Sequence, residues 1–300
     1  MDIQQIRYFL TVAKYESFSK AAEKLFVTQP ILTRCVKNLE QELGTPLILR
    51  STRRFALTDA GQTLVQYGSQ LLQQHQDLYR RIADVIHAQT GEITISSPGV
   101  LLDMYFPELV TKFRRSYPGI HIRIRERGSR PVAEDLRDGA ADIGLVMLPL
   151  EDQRDFHCFP IVSDEVHVLL PRDHLLAARD HIPICLLKDQ ELITYSRSTT
   201  LYHTFQELCR EADFTPTIVF QSMMPNFILD TISCGTCIGI LPGPMLRQFR
   251  REDLVSIPLR PRFPWQIALI AKKDRYLSHA AQCFLDFAQA YFVEKRIGES

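Results

Sequence analysis

Apolar residues recur at helical spacing from the first turn of the chain. Ile3, Ile6, Phe9, Leu10 and Ala13 predict an opening helix of about twelve residues. A second short helix is predicted over Phe18 to Leu25, capped by Ser17 or Ser19, with Ala21 and Ala22 allowing close helix approach. A third begins at Thr28 as N-cap, with Pro30 in its first turn, where a missing N–H costs little. On its wheel Leu32, Cys35, Val36, Leu39 and Leu43 share one arc. Gln29, Thr33, Arg34 and Lys37 fall roughly opposite. An amide, a hydroxyl and two cations are groups that read base edges and hold phosphates in a major groove. Taken alone, an ordinary solvated helix explains the same wheel equally well.

The flanking pattern decides between them. Two short helices joined tightly, the second polar on its outer face, predict a helix-turn-helix. Residues 46–58 then read as two short strands around a tip carrying Arg50, Arg53 and Arg54. A hairpin with cations at its turn is the wing of a winged helix, placed to meet phosphate or the minor groove.

From Thr58 to about Ala88 a long helix is predicted, interrupted in composition only by Gly61 and Gly68. Leu64, Leu71, Leu78 and Val85 are spaced by sevens, as are Val65, Leu72, Tyr79 and Ile86. A broad seam on a helix between two domains has little of its own chain to cover it, so a partner helix is expected. Gln66, Gln70, Gln73, Gln74 and Gln76 supply the polar surface.

Beyond Thr90-Gly91, strands alternate with helices. Ile93 to Ile95, Ile120 to Arg125, Ala141 to Val146, Glu165 to Pro171, Leu192 to Tyr195, Ile218 to Phe220, Cys237 to Leu241 and Trp265 to Ile270 read as strands. A helix bearing Phe106, Leu109, Val110 and Phe113, one over about Val132 to Asp138, and a last one around Leu277 to Val293 lie between or after them. The alternation predicts a mostly parallel α/β sheet. Ligands of such sheets bind beyond the C-terminal strand ends, where helix N-termini offer N–H groups to an anion. Ser96 and Ser97, Gly128 and Ser129, Ser196 to Thr200, and Gln221 with Ser222 occupy such ends. Arg130 and Arg197 stand nearby, so Ser96, Ser97, Ser129, Arg130, Ser196, Arg197, Thr199, Thr200 and Gln221 are the candidate contacts for a small carboxylate or similar anion. Each hydroxyl taken singly is equally a helix cap. Arg123, Arg125 and Arg127 read as a solvated strand face.

Composition adds limits. The chain has 300 residues, 45% hydrophobic, enough for two cores, and its Lys+Arg and Asp+Glu totals of 35 each cancel. A DNA binder needs only its contacting face to be basic. No apolar run approaches the about 18 residues that span a bilayer. The opening residues lack the basic and apolar regions of a secretory leader, and seven scattered cysteines suit a reducing compartment, so a cytoplasmic location without membrane contact is expected.

The arrangement resembles the LysR-type transcriptional regulators. Ile6-Arg7-Tyr8-Phe9, Ser17-Phe18-Ser19-Lys20-Ala21-Ala22, Thr28-Gln29-Pro30, Leu39-Glu40-Gln41-Glu42-Leu43-Gly44 and Leu57-Thr58-Asp59-Ala60-Gly61 come in that family's order and spacing. Thr28 and Thr33 stand where serine is common, and Ile48 where phenylalanine is. The resemblance implies that Gln29, Pro30, Thr33 and Arg34 face DNA, with Arg53 and Arg54 in the wing, and the helix and hairpin read above add Thr28, Lys37 and Arg50 as candidates. It implies a winged helix-turn-helix over 1–59, a dimerising linker helix over 60–89, and an α/β effector domain over 91–300 like a periplasmic solute-binding protein. Its subdomains would hold 91–162 with 268–300, and 163–267. Tyr117-Pro118, Leu136 to Gly144 and Cys234 to Pro242 carry the looser match of this half. Expected partners are a palindromic double-stranded operator, a small effector, further copies as a homodimer or homotetramer, and RNA polymerase.

Other classes find less support. The Cys234-Gly235-Thr236-Cys237 spacing suggests a redox sensor, but it ends a helix entering a strand, the reverse of a thioredoxin motif. No second Cys/His pair at ligand spacing accompanies it, so neither metal nor cofactor is expected. There is no nucleophile elbow, P-loop, dinucleotide fingerprint or zincin motif, which argues against an enzyme.

Overall fold

The computed structural model describes residues 1–49, 55–86, 90–150, 152–249 and 251–298. They form two compact units, Met1–Ala83 and Asp84–Ser300.

In the first unit, α1 (Ile3–Tyr15) opens with a capping box between Asp2 and Gln5. Ser17 caps α2 (Phe18–Leu25) by accepting from Lys20 N. The third helix, α3 (Gln29–Leu43), starts at Thr28, whose extended backbone makes it the N-cap by position although its hydroxyl makes no cap bond. Gly44 ends α3 in the left-handed region (φ +69°), a conformation that a side chain would strain. Leu32, Val36 and Leu39 are buried in one core with Phe9, Val12 and Ala21. Leu43 departs from the wheel: it is 41% exposed, because the core beneath α3 ends one turn earlier.

Glu40 turns the chain into the wing. Its Oε1 accepts from Leu47 N at 2.9 Å and Ile48 N at 3.3 Å. Strands β1 (Ile48–Leu49) and β2 (Ala56–Leu57) pair antiparallel, Ile48 opposite Leu57. The tip residues Arg50, Arg53 and Arg54 lie outside the described residues. Thr58 then opens α4 (Asp59–Ile86), accepting from Gly61 N at 3.0 Å and donating to Pro46 O at 2.7 Å. Residues 87–89 of the expected linker also lie outside the described residues. Ala60, Leu64 and Val65 pack on the N-terminal core, so the first turns of the seam are covered by their own unit. Farther along, Leu71, Leu78, Tyr79 and Ile82 are exposed.

The second unit comprises β3 (Gly91–Ser97), α5 (Gly99–Ser116), β4 (Ile120–Glu126), α6 (Ser129–Arg137), β5 (Ile143–Leu148) and the long β6 (Phe156–Pro171). There follow β7 (Ile182–Pro183), β8 (Glu191–Thr194), α7 (Thr200–Glu211), β9 (Thr217–Gln221), α8 (Pro225–Ser233) and β10 (Ile238–Pro242). The chain closes with α9 (Met245–Phe249), β11 (Leu254–Arg260), β12 (Pro264–Lys272) and α10 (His279–Gly298).

The main strand path runs β4-β3-β5-β12-β6-β10-β8-β9, with β11 bonded to β6 and β7. Parallel pairings are the majority along this path, as expected, but the centre departs from the pattern. The outer strands are parallel, β4-β3-β5 on one side and β10-β8-β9 on the other. The centre is antiparallel, because β6 leaves one half and β12 returns to it. The first part of β6 pairs with β12, its second part with β10 and β11, which makes two halves joined by crossing strands. β5 is buried along nearly its whole length, as a strand covered on both faces should be.

A Cβ built on Gly61 would sit 2.2 Å from the carbonyl oxygen of Leu47, a backbone atom that cannot swing away. Gly61→Ala is therefore expected to destabilise the N-terminal unit by about 1–3 kcal/mol. Denaturant unfolding followed by circular dichroism measures this, and an unchanged midpoint would show that β1 and α4 separate freely.

Candidate functional site

Two sets of side chains need placing, one in each unit. On α3, Thr28, Gln29, Pro30, Arg34 and Lys37 are exposed and Thr33 is half-buried. Gln29 is tied to α2, since Ser19 Oγ lies 3.4 Å from its Oε1. The exposed run starts at the positive end of a fifteen-residue helix, whose first N–H groups favour an anion such as phosphate. The wheel omitted Ile31, which is 54% exposed among these polar groups.

In the second unit, strand polarity sets the site. β3, β4 and β5 run in the direction of β6, towards the other half. β10, β8 and β9 run against β6, back towards the first half. The C-terminal strand ends of the two halves therefore face each other, and α7 of the second half touches β5 of the first.

The candidate hydroxyls at these ends are largely engaged by their own chain. Ser96 is fully buried and donates to Asp135 Oδ2 at 2.8 Å. Asp135 also receives Arg125 Nε and Arg127 Nε, each at 3.2 Å. This corrects two readings: Ser96 points into its own half, and Arg125 and Arg127 are carboxylate partners rather than a merely solvated face. Arg123 pairs with Glu92 at 2.9 Å and stays largely exposed. Burial pushes the Asp135 carboxyl up, but hydrogen bonds from Arg125 and Ser96 and the charges of both arginines outweigh it and hold it below its ordinary value.

Ser97, next in the strand and so on the opposite face, is buried and donates to Pro98 O at 3.0 Å. Ser129 begins α6, but its side chain and that of Arg130 lie outside the described residues. In the other half, Thr199 caps α7, accepting from Tyr202 N at 3.3 Å and donating to Ser196 O at 2.8 Å. Ser196 Oγ meets Ser198 Oγ at 2.8 Å. Thr200 is half-buried, whereas Arg197 and Gln221 are exposed. Ser222 N bonds Thr194 O at 3.2 Å, which draws the end of β9 beside the 194–200 loop.

The floor between the halves was missed by the sequence reading. Trp265 Nε1 donates to Tyr105 Oη at 2.9 Å, joining β12 to α5. Tyr195 is buried, with its Oη 3.7 Å from Met245 Sδ. Burial, then the nearby Tyr105 and Asp103 of α5, push its phenol well above the ordinary range. A single tryptophan opening a strand was the available signal.

Five of the seven thiols are shifted away from thiolate formation, Cys237 of the C-x-x-C among them, whereas Cys185 and Cys234 are exposed. Burial raises Cys35, Cys158, Cys237 and Cys283, and pushes Cys209 up to about 12, whereas a reactive thiol needs the opposite shift.

Comparison with known proteins decides the family. Residues 3–62 match the model described as bacterial regulatory helix-turn-helix protein, lysR family, and residues 87–293 match the LysR substrate binding domain. The chain belongs to the LysR family. Its members are DNA-binding transcriptional regulators, not enzymes, and this LysR-type regulator carries the family's DNA-binding and effector-binding domains. It is 35% identical over 297 residues to the Bacillus subtilis HTH-type transcriptional regulator YwbI, covering 99% of this chain and 98% of that relative. It is 29% identical over 254 residues to AlsR of the same organism, covering 84% of each. A full-length OxyR variant from Pseudomonas aeruginosa shares its fold, with a TM-score of 0.66 at 24% identity over 96% of this chain and 98% of that one. Among the described residues, no helix is long and apolar enough to cross a membrane.

Asp135 links three elements of the regulator's first half through one carboxylate. Asp135→Asn is expected to cost about 2 kcal/mol near neutral pH, the scale of charged hydrogen bonds lost from a mostly buried group. Because the folded pKa is depressed, its contribution is present above the unfolded value of about 4 and is lost as pH falls through the folded one. Unfolding series should thus show a shallower acid loss in the variant, and parallel curves would remove Asp135 from this role.

Proposed function

We propose that this LysR-type regulator reads one half-site of a two-fold operator with each winged helix and takes its instruction from a small anion between the halves of its effector domain. On the DNA side, Thr28, Gln29, Pro30, Thr33, Arg34 and Lys37 enter the major groove, and Arg50, Arg53 and Arg54 hold the flanking phosphates. The exposed Leu71, Leu78, Tyr79 and Ile82 of α4 support pairing with a second copy, which fixes the spacing of two half-sites. Assembly as a tetramer, contact with RNA polymerase and a cytoplasmic setting complete the reading.

The observation that carries the effector assignment is the convergence of strand ends from both halves. Ser97, Ser129 and Arg130 stand on one side, and Arg197, Thr199, Thr200 and Gln221 on the other. The buried hydroxyls of Ser96, Ser97 and Thr199 shape the loops, and the cation of Arg197 with the free N–H groups of α7 supplies the charge. An effector bound by both halves favours the closed arrangement by its differential affinity, and that bias alters the bend or occupancy of the operator. The proposed domain limits remain 1–59, 60–89 and 91–300.

Arg34→Ala is expected to weaken specific operator binding by about tenfold, the scale of one bidentate base contact. Footprinting at fixed salt checks it, and unaltered affinity and sequence preference would undo the docking of α3. Arg197→Ala should move the effector dose–response to higher concentration by about tenfold, as loss of a charged hydrogen bond implies. A reporter series with small organic acids reads this, and a superimposable curve would take Arg197 out of the cleft.

A further inference from the structure

Helix α10 opens on two metal-donor side chains that neither the effector cleft nor the operator face uses. His279 and Cys283 stand four residues apart on it, so both project from one face. His279 is exposed and Cys283 half-buried. His279 Nε2 lies 3.4 Å from Cys283 Sγ. A tetrahedral zinc ion, with bonds of about 2.0–2.1 Å to nitrogen and about 2.3 Å to sulfur, holds two such atoms about 3.6 Å apart. The pair therefore already spans one edge of that coordination shell, with only a few tenths of an ångström to give.

The turn that carries the pair is held at two points. Ser278 Oγ accepts from Ala281 N at 3.2 Å. Asp84 Oδ2, near the end of α4, accepts from His279 N at 3.0 Å and from the Tyr276 hydroxyl at 2.8 Å. A turn fixed in this way lowers the ordering cost of binding. Asp286 falls on the same face and adds negative charge there, although one of its oxygens accepts from Gln282 Nε2 at 2.8 Å. Among the described residues no three such donors converge, so the protein supplies two ligands and water the rest. An imidazole with a thiolate suits zinc and cadmium, whereas magnesium, calcium and manganese take oxygen donors.

We propose that His279 and Cys283 form a binding site for one divalent ion of the zinc class. With its ring proton on Nδ1, His279 gives the lone pair of Nε2 to the ion, and the Cys283 thiol releases its proton to solvent as the metal–sulfur bond forms. Without the ion the same two atoms make an ordinary thiol–imidazole contact. The ion staples the first two turns of α10, whose leading N–H holds Asp84, so occupancy stiffens the turn to which the end of α4 is tied. His279 and Cys283 stand at helical spacing, outside the loop pattern around Cys234 on which the expectation of no metal rested. The site depends on neither the anion cleft nor the docking of α3.

Cadmium reads the site directly, because its bond to a thiolate gives an ultraviolet charge-transfer band. Cys185 and Cys234 are also exposed, so the titration uses reduced full-length protein carrying Cys185→Ser and Cys234→Ser. Added Cd²⁺ should develop the band with saturation at one equivalent, and Zn²⁺ should bind by calorimetry and raise Tm. In that background His279→Gln and Cys283→Ser are each expected to raise the Kd for Zn²⁺ about tenfold or more, and Cys283→Ser should also abolish the cadmium band. Cys283→His keeps two donors and should bind Zn²⁺ without giving the band, and circular dichroism confirms that each variant folds. No saturable band, a band that survives Cys283→Ser, or a Kd unmoved by His279→Gln would each overturn the proposal. The second result places the ion on another thiol, and the third reduces it to an adduct of one cysteine.

Discussion

The crossing strands β6 and β12 hold the effector unit together, because every other strand in it reaches one of them directly or through one or two neighbours. Their shared ladder runs from Phe156 opposite Lys272 to Glu165 opposite Pro264, with a register shift at Ile267 and Ala268. Main-chain bonds of this kind resist stretching yet tolerate twist. At the end of the ladder Glu165 accepts from the guanidinium groups of Arg260 and Arg262. Chiefly the Arg262 hydrogen bond, against the pull of burial, holds its carboxyl below the usual carboxylate range. The joint between the halves is thus a backbone ladder with one ionic cluster at its rim.

The winged helix was legible in the sequence because its determinants are local. Ser17 caps, Gly44 stops a helix, Thr58 starts the next, and each acts within four residues of itself. The effector unit was legible only where a strand keeps one environment. β5 is buried nearly throughout and was found, whereas the first half of β6 was not. That strand changes partners midway and contains Pro160, so neither the alternating nor the continuous apolar pattern survives along it. Helix α7 was implied only by the candidate caps before it, although Leu201, Phe205 and Cys209 are buried at helical spacing.

Site chemistry was less legible than the elements bearing it. Ser96 and Ser97 are adjacent and chemically alike, yet successive strand residues face opposite sides, and only the neighbouring helices decide what each meets. Ser96 meets an aspartate on α6, while Ser97 stays with its own backbone. The two tyrosines and the tryptophan between the halves come from positions 105, 195 and 265, and nothing local in the chain marks them as neighbours.

The fit of Gly61 against Leu47 bears on how a signal reaches DNA. With no atom to spare between that carbonyl and α4, the helix cannot roll beneath β1 without carrying it along. Thr58 clamps the same corner through Pro46, and Glu40 clamps it from α3 through Leu47 and Ile48. Helix and wing therefore behave as a crank with its handle. A few degrees of torque along the shaft carry the base of the wing with them, rather than being lost as slack at the joint.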